Sequence, residues 1–393
     1  MVRDGFQRET FKGRSVLITG QTGFKGSWLA IWLARLGARV SGYALAPPTE
    51  PNNFTVCDVG RLLADHVEAD IRDADRLAWF VAKNEPEVIF HLAAQPLVRT
   101  SYTSPRETFE VNVMGTAAVL DAVRGHGKPC VVVAVTSDKC YENREQVWGY
   151  RETDALGGHD PYSASKAAAE ILVAGYRRSF FPVQRVGRHG VKLATARAGN
   201  VIGGGDWAAD RLVPDLVRGL IEGAAVPVRS PLAVRPWQHV LESLNGYLSL
   251  AARMLASNDP VWCDAWNFGP AAEQELSVAE LVERFVAAWG GGRWTDASDL
   301  ARPHEAGVLR LNSDKSLFQL GWRPTWTPDE AVARAAGWYR RYYESDESNM
   351  LEVCHEDIEA FESTRAPKKT TFPYPLSGIP SLTHALPGVA VFQ

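Results

Sequence analysis

The sequence predicts an α/β fold, a doubly wound parallel sheet followed by a smaller C-terminal α/β part. Three observations predict it. Through roughly the first two hundred residues, short apolar β-branched runs alternate with helical segments, the pattern of a parallel sheet with crossover helices. The first run, Ser15-Val-Leu-Ile-Thr19, passes through Gly20-Gln-Thr-Gly23-Phe24-Lys25-Gly26 straight into an apolar helical stretch. From Ala198 the alternation gives way to a glycine-rich loop and a different run of elements.

Residues 15–19 are the first strand and 27–36 the helix that follows. Strand, glycine turn, helix is the context of a dinucleotide site. Gly20 permits the tight turn, Gly23 lets backbone N–H groups approach a pyrophosphate at the helix N-terminus, and Gly26 allows close packing of helix on sheet. Residues 39–44 are the second strand. An NAD site usually has an acid at this strand's end, for the ribose hydroxyls. Here the chain reads Tyr43-Ala-Leu-Ala-Pro-Pro, so nothing there repels a 2′-phosphate and Lys25 would even favour NADP. A third strand, over 66–71, ends in Asp70-Ile71, placed to bond the adenine amino group and to pack on its ring. The alternative for an acid here is a helix cap, which Asp73 fits better, before a helix over 74–83. The fourth strand, 87–94, ends His91-Leu-Ala93-Ala94-Gln95, where small residues let backbone come close to a cofactor. The loop beyond it carries Arg99 and is placed to face substrate.

A long helix is expected over 105–124 and a fifth strand over 131–135. Then comes the stretch around which the chain is organised, TSDKCYENREQVWGYRETDALGGHDPYSASK, residues 136–166. Tyr162 and Lys166 are one turn apart on a helix reaching to about residue 180, so both project from one face. An ammonium beside a phenol favours phenolate and is expected to lower the Tyr162 pKa towards neutrality. Such a tyrosine exchanges a proton with a substrate hydroxyl, and Ser137 at the strand end can hold that same hydroxyl. A sixth strand covers 191–197. Beyond it lie a helix over 210–222, a short strand over 226–229, a helix over 240–257, a last strand returning to the sheet over 266–269, and helices near 278–289 and 327–343. The end, from about 363, has five prolines and no periodicity, and reads as a flexible or surface-draped tail.

Composition narrows the function. With 46% hydrophobic and 22% charged residues the chain is globular, and a net charge of −4 gives no electrostatic footprint for nucleic acid. Five cysteines without a CxxC pair argue against a disulfide framework and a zinc site. The N-terminus lacks the apolar core of a signal peptide, and no apolar run approaches the ~20 residues of a membrane span. The expectation is a cytoplasmic protein with no membrane partner and no metal. Trp148, Trp207 and Trp237, in otherwise polar loops, suggest a lined cleft, ordinary packing being the alternative.

Taken together, the glycines at 20, 23 and 26, the HLAAQ run, Ser137 and Tyr162-x-x-x-Lys166 resemble the extended short-chain dehydrogenase/reductase superfamily, over about residues 12 to 345. The phrases TGFKGSWL, AAQPLVR, TSDKCY, WGYRE, AGNVIGGGDW and RPWQHVLE resemble, more finely, the CDP-glucose 4,6-dehydratase family. The chain departs from that pattern at Gln21, where the family tends to show His, and at Gly307, where a second His follows HEA. The resemblance implies a Rossmann domain over 1–197 and 239–270 that binds NAD, and a nucleotide-sugar-binding domain over 198–238 and 271–345. It implies CDP-glucose as substrate, dehydrated at C5 and C6 after oxidation at C4, in deoxysugar and O-antigen synthesis. Tyr162 would take the C4 hydroxyl proton, Lys166 would hold the tyrosinate and the nicotinamide ribose, and Ser137 would bond the C4 oxygen.

Related dTDP-glucose enzymes carry Asp-Glu after the serine, where this chain has Asp138-Lys139. Asp138, if protonated, is placed to expel the C6 hydroxyl as water. Lys139 would either take the C5 proton or stabilise the enolate formed when another group takes it. Arg235 is the first choice for the diphosphate, Asn200 for a phosphate or sugar oxygen. Arg211, His304 and Arg99 follow, each with a surface ion pair as the alternative. Superfamily members often dimerise through the long helix and the Tyr–Lys helix, so a homodimer or higher homo-oligomer is implied. The rivals are a 4-epimerase or a dehydratase of another nucleotide sugar on the same fold, and a non-catalytic dinucleotide sensor.

Overall fold

The computed structural model describes residues 4–298, 307–345 and 349–365. Seven parallel strands form its central sheet: β1 (Ser15–Thr19), β2 (Arg39–Ala44), β3 (Asp65–Glu68), β4 (Val88–His91), β5 (Cys130–Val135), β6 (Val191–Ala198) and β7 (Ala265–Phe268). Their spatial order is β7-β6-β5-β4-β1-β2-β3. The order reverses between β1 and β4, which opens a crevice at their C-terminal ends, where such sheets bind ligands. Thr19 lies level with both Tyr43 and His91, so the glycine turn after β1 emerges beside the exit of β4.

Strand alternation divides the interior in two. Val16, Ile18, Val131 and Val133 face the helices Phe24–Arg35 and Val240–Ala256. Leu17, Val132 and Leu193 face the helices Ala74–Asn84, Gly115–His126 and Pro161–Ser179. The expected elements are present, most within a few residues of their expected ends, because strong local signals mark them. Asp73 caps its helix by accepting from Arg76 N, as expected. Asp160 caps the Tyr–Lys helix by accepting from Ser163 N (2.9 Å), with Pro161 in the first turn. Ser277–Glu280 and Thr327–Glu330 close capping boxes on the helices Val278–Trp289 and Pro328–Glu344.

Several features were not foreseen, among them a helix Val98–Thr103 where a loop carrying Arg99 was expected. A helix Asp4–Phe11 precedes β1. The long helix is interrupted: Pro105–Phe109 and Gly115–His126 are α-helical, and Glu110–Met114 between them is a π turn. That turn presents buried Asn112, whose Nδ2 donates to Ser165 Oγ on the Tyr–Lys helix (2.8 Å) and to Gln95 O (3.1 Å). Finally, Met350–Arg365 is a helix packed on Phe24–Arg35, so residues 363–365 of the expected tail are helical. The rest of that tail lies outside the described residues. Among the described residues no helix is long and apolar enough to cross a membrane.

Trp207 and Trp237 are buried, which corrects the expectation that they line a cleft. Trp207 packs edge-on against Trp338 (5.6 Å), Tyr339 (5.7 Å) and Tyr342 (5.1 Å) and donates to Tyr343 OH. The glycine loop serves this cluster: a Cβ on Gly204 would stand 2.0 Å from Trp338 Cγ. Aromatic area gains more from dry packing than from lining a wet groove. Trp148 stays 65% exposed.

Candidate active site

The crevice begins at the glycine turn. Gly20 adopts φ +82°, and a Cβ there would meet Ala93 N at 2.8 Å. A Cβ on Gly26 would meet Gly20 O at 2.0 Å. Gly23 is the N-cap of the helix Phe24–Arg35, which therefore has no side-chain cap, and no acid lies in its first turn. First-turn N–H groups have no intrahelical acceptor. An uncapped, acid-free helix start walled by glycines fits a dinucleotide diphosphate.

Ser137, two residues beyond β5, caps the short turn Asp138–Cys140: its Oγ accepts from Lys139 N (3.1 Å) and donates to Asp138 Oδ1 (3.0 Å). Asp138 is only 3% exposed, and its Oδ2 is buried without a partner. Burial raises its pKa, against the opposing pull of Lys139, the Ser137 hydrogen bond, Lys25 and Arg235. A buried carboxyl with one free oxygen and a raised pKa is a proton donor in waiting. Lys139 is partly buried, with its charge facing Asp138.

Tyr162 and Lys166 are both buried on one face of Pro161–Ser179. The expectation that Lys166 lowers the Tyr162 pKa needs correcting. Burial pushes the phenol up to about 12, with Ser137 and Arg211 as the offsets. Lys166 is itself desolvated and falls to about 8, Glu170 opposing. In a dry pocket both ionised forms cost free energy.

Lys25 also belongs here. Its Nζ lies 3.3 Å from Tyr247 OH, and desolvation lowers its pKa to about 7, with Asp138, Arg211 and Lys166 as the charges it meets. It therefore turns towards Asp138 and Lys166 and not towards the end of β2, which removes the reason for reading it as a 2′-phosphate ligand. Arg235 is buried, donates to Val234 O (3.0 Å) and Gly307 O (3.2 Å), and faces Asp138. Arg211 is held by Asp206 (2.8 Å) and faces Tyr162. Asn200 O accepts from Gln238 N, beside Arg235.

Thus Ser137, Asp138, Lys139, Tyr162, Lys166, Lys25, Arg211 and Arg235 converge. The other candidates are engaged by neighbouring protein groups. Arg99 pairs with Asp210 (2.9 Å), which Arg229 also grips, the ion pair weighed as its alternative. The Asp70 carboxylate is clasped by Arg72, and Ile71 is buried against Gly115 in the core. The Gln95 amide is engaged by Thr108 Oγ1 and Leu97. His304 lies outside the described residues.

The CDP-glucose 4,6-dehydratase of Salmonella typhimurium is 47% identical over 357 residues, 90% of this chain and 97% of that protein. The chain belongs to the CDP-glucose 4,6-dehydratase family. The wider relationship agrees: residues 17–190 match the GDP-mannose 4,6-dehydratase family model. The dTDP-glucose 4,6-dehydratase of Streptomyces venezuelae, solved with NAD bound, superposes with a TM-score of 0.70 at 26% identity, over 84% of this chain and 98% of that one. A UDP-glucose 4-epimerase from Thermotoga maritima superposes at 0.71 with 20% identity, over 83% of this chain and 99% of that one, which speaks for the shared fold alone.

In this member of the CDP-glucose 4,6-dehydratase family, sequence reasoning missed Asn112, Tyr247 and Glu170. Only Glu170 left a signal. It is the lone acid on the Tyr162–Lys166 face, in the run Ala167-Ala-Ala-Glu170-Ile. Asn112 and Tyr247 sit in helices whose approach to the site is a tertiary matter.

Proposed function

We propose that this protein dehydrates CDP-D-glucose to CDP-4-dehydro-6-deoxy-D-glucose and water, using NAD. The observation that carries the dehydration is Asp138, a buried acid with an unpartnered oxygen beside Ser137. The cytidine assignment is supported by the similarity to the Salmonella enzyme. In this reading residues 1–197 and 239–270 carry the cofactor, and residues 198–238 and 271–345 carry the nucleotide sugar.

The turn Gly20–Gly26 would hold the NAD diphosphate on backbone N–H groups of Phe24 and Lys25, with Ala93 and Ala94 alongside and Asp70 and Ile71 towards the adenine. Lys166 would reach the nicotinamide ribose. NAD, when bound, would supply a reversible hydride acceptor for sugar C4 and donor for C6. Tyr162 would take the C4 hydroxyl proton as a phenolate, which the charges of Lys166 and of the oxidised nicotinamide would stabilise against the burial that raises its pKa, while Ser137 bonds that oxygen. The C4 ketone acidifies C5–H. Lys139 serves the C5 step, as the base or as the cation that carries enolate charge. Asp138 gives its proton to the C6 oxygen, the C6–O bond breaks and water leaves. A proton then returns to C5. Arg235 and Asn200 hold the diphosphate, with Arg211 beside the sugar.

We further propose that the protein forms a homodimer through the interrupted long helix and the Tyr–Lys helix. Large apolar side chains on these two helices support this: Phe109, Met114 (60% exposed) and Ile171 (61% exposed).

The deciding experiment incubates purified protein with NAD and, separately, CDP-, dTDP-, GDP- and UDP-glucose, and weighs the sugar nucleotides. Loss of one water from CDP-glucose in preference to the others is expected. An unchanged mass with inverted C4 would make the protein an epimerase, and preference for another base would overturn the cytidine assignment.

A further inference from the structure

Behind the Tyr–Lys pair lies a buried ion pair that the reaction above does not use. Glu170 follows Lys166 by one helical turn, so Tyr162, Lys166 and Glu170 line one face. The Glu170 and Arg197 side chains are both almost fully buried and meet at 2.8 Å. Glu170 Oε1 accepts from Thr136 Oγ1, and Oε2 accepts from Thr195 Oγ1 (2.8 Å) as well as from Arg197 Nη2. Arg197 Nη1 donates to Tyr141 OH (2.8 Å) and to Glu152 O (3.2 Å). Tyr141 OH in turn donates to Asn267 Oδ1 (2.7 Å).

These partners occupy particular places. Thr136 is the residue before Ser137-Asp138-Lys139, and Tyr141 follows the same turn. Thr195 and Arg197 are on β6, and Asn267 is on β7. One carboxylate therefore ties the helix carrying Tyr162 and Lys166 to both ends of the turn carrying Ser137, Asp138 and Lys139.

Charge adds a second role. The groups facing Lys166 are Glu170 on its own helix, Cys140 on the turn after β5, His91 on β4 and Lys25 on the glycine-turn helix. Burial keeps the Cys140 thiol protonated and holds His91 neutral, with its pKa near 3, and Lys25 is a cation or neutral. Glu170, held ionised by Arg197, is the anion of the set.

We propose that Glu170 is a positioning residue for the dehydration: it fixes Lys166 and Tyr162 against the Ser137–Lys139 turn and supplies the negative charge that keeps Lys166 a cation. The inference rests on the proposed reaction for its catalytic meaning. The structural alternative is a buried ion pair that only holds strands to helix.

Paired substitutions separate the two. Glu170→Gln keeps the shape and removes the anion. Arg197→Met removes the countercharge that holds Glu170 ionised. Both variants break a buried pair and are expected to melt earlier than wild type. Both also withdraw negative charge from beside Lys166. Lys166 loses its proton at lower pH than in wild type in both, by about one unit or more in Glu170→Gln. The double variant Glu170→Gln/Arg197→Met removes both buried charges and restores much of the melting temperature, yet Lys166 still titrates lower than in wild type.

Two readouts are used. The first is the basic limb of the kcat–pH profile with CDP-glucose. The second is the pH dependence of Lys166 acetylation by acetic anhydride, followed by peptide mass spectrometry, which needs no turnover. A Lys166 titration lowered in Glu170→Gln and still lowered in the more stable double variant supports the inference. Equal Lys166 titration in wild type and the double variant overturns it. A wild-type protein that leaves CDP-glucose intact overturns the reaction instead, and the acetylation curves still judge Glu170.

Discussion

Replacing Asp138 by Asn is the most direct test of the dehydration chemistry. Asn is nearly isosteric and retains an oxygen for the Ser137 hydroxyl, which donates to Oδ1 at 3.0 Å. It has no transferable proton. Lys139, Lys25 and Arg235 all favour the carboxylate form, yet burial outweighs them and the pKa moves up, which favours the neutral acid. The side chain is 3% exposed, so bulk water has little access to replace the lost donor. General acids of this kind contribute about 10²–10⁴-fold, or about 3–5 kcal/mol of barrier. The Asp138→Asn protein should therefore form product about 10²–10⁴ times more slowly. It should melt no earlier than wild type, because the substitution removes a buried ionisable group. The step before elimination does not need Asp138. Rapidly quenched reactions analysed by mass spectrometry should contain a 4-keto sugar that still carries its C6 oxygen. Wild-type turnover in the variant, or a block before the ketone forms, would refute the assignment.

Four further outcomes are expected. Tyr162→Phe should reduce turnover by about 10²–10⁴-fold while fluorescence titration shows NAD binding little changed, and equal turnover would remove Tyr162 from the mechanism. Gly26→Ala places a methyl 2.0 Å from Gly20 O, so calorimetry should find NAD affinity sharply reduced and melting lowered; unchanged values would show that the turn relaxes freely. Glu242 is buried, with Oε1 accepting from Thr325 N (2.9 Å) and Trp326 N (2.7 Å) and Oε2 without a partner, and its pKa is raised to about 8. For an acid raised by folding, the stability present below the unfolded pKa, near 4.5, is lost as pH rises towards about 8. Melting temperatures of wild type should thus decline over that window more steeply than those of Glu242→Gln, whereas parallel curves would show that Glu242 ionises freely. Ile171→Glu should yield monomers by analytical ultracentrifugation where wild type sediments as a dimer, and an unchanged sedimentation coefficient would place any interface elsewhere.

Much of the fold was legible because its signals are local. The run Ser15–Thr19, the three glycines after it and the Asp73 cap each act within a few residues, and each lies where expected. The placement of Ser137, Tyr162 and Lys166 was legible for the same reason: Ser137 follows a strand, and Tyr162 and Lys166 share a helix face. Trp207 was misread because its neighbours in sequence are polar, whereas its neighbours in space are Trp338, Tyr339 and Tyr342.

By itself, then, the sequence determined the strand–helix alternation, the dinucleotide turn and the identity of the acid, phenol and amines. Tertiary structure alone decided their ionisation. Burial, not Lys166, sets the Tyr162 phenol, and burial overrides three cations at Asp138. It also brought Glu170, Thr136, Thr195 and Arg197 from three separate elements onto one carboxylate. The reason is physical. Spacing along the chain fixes which side chains share a face, whereas the free energy of a charge depends on everything packed around it.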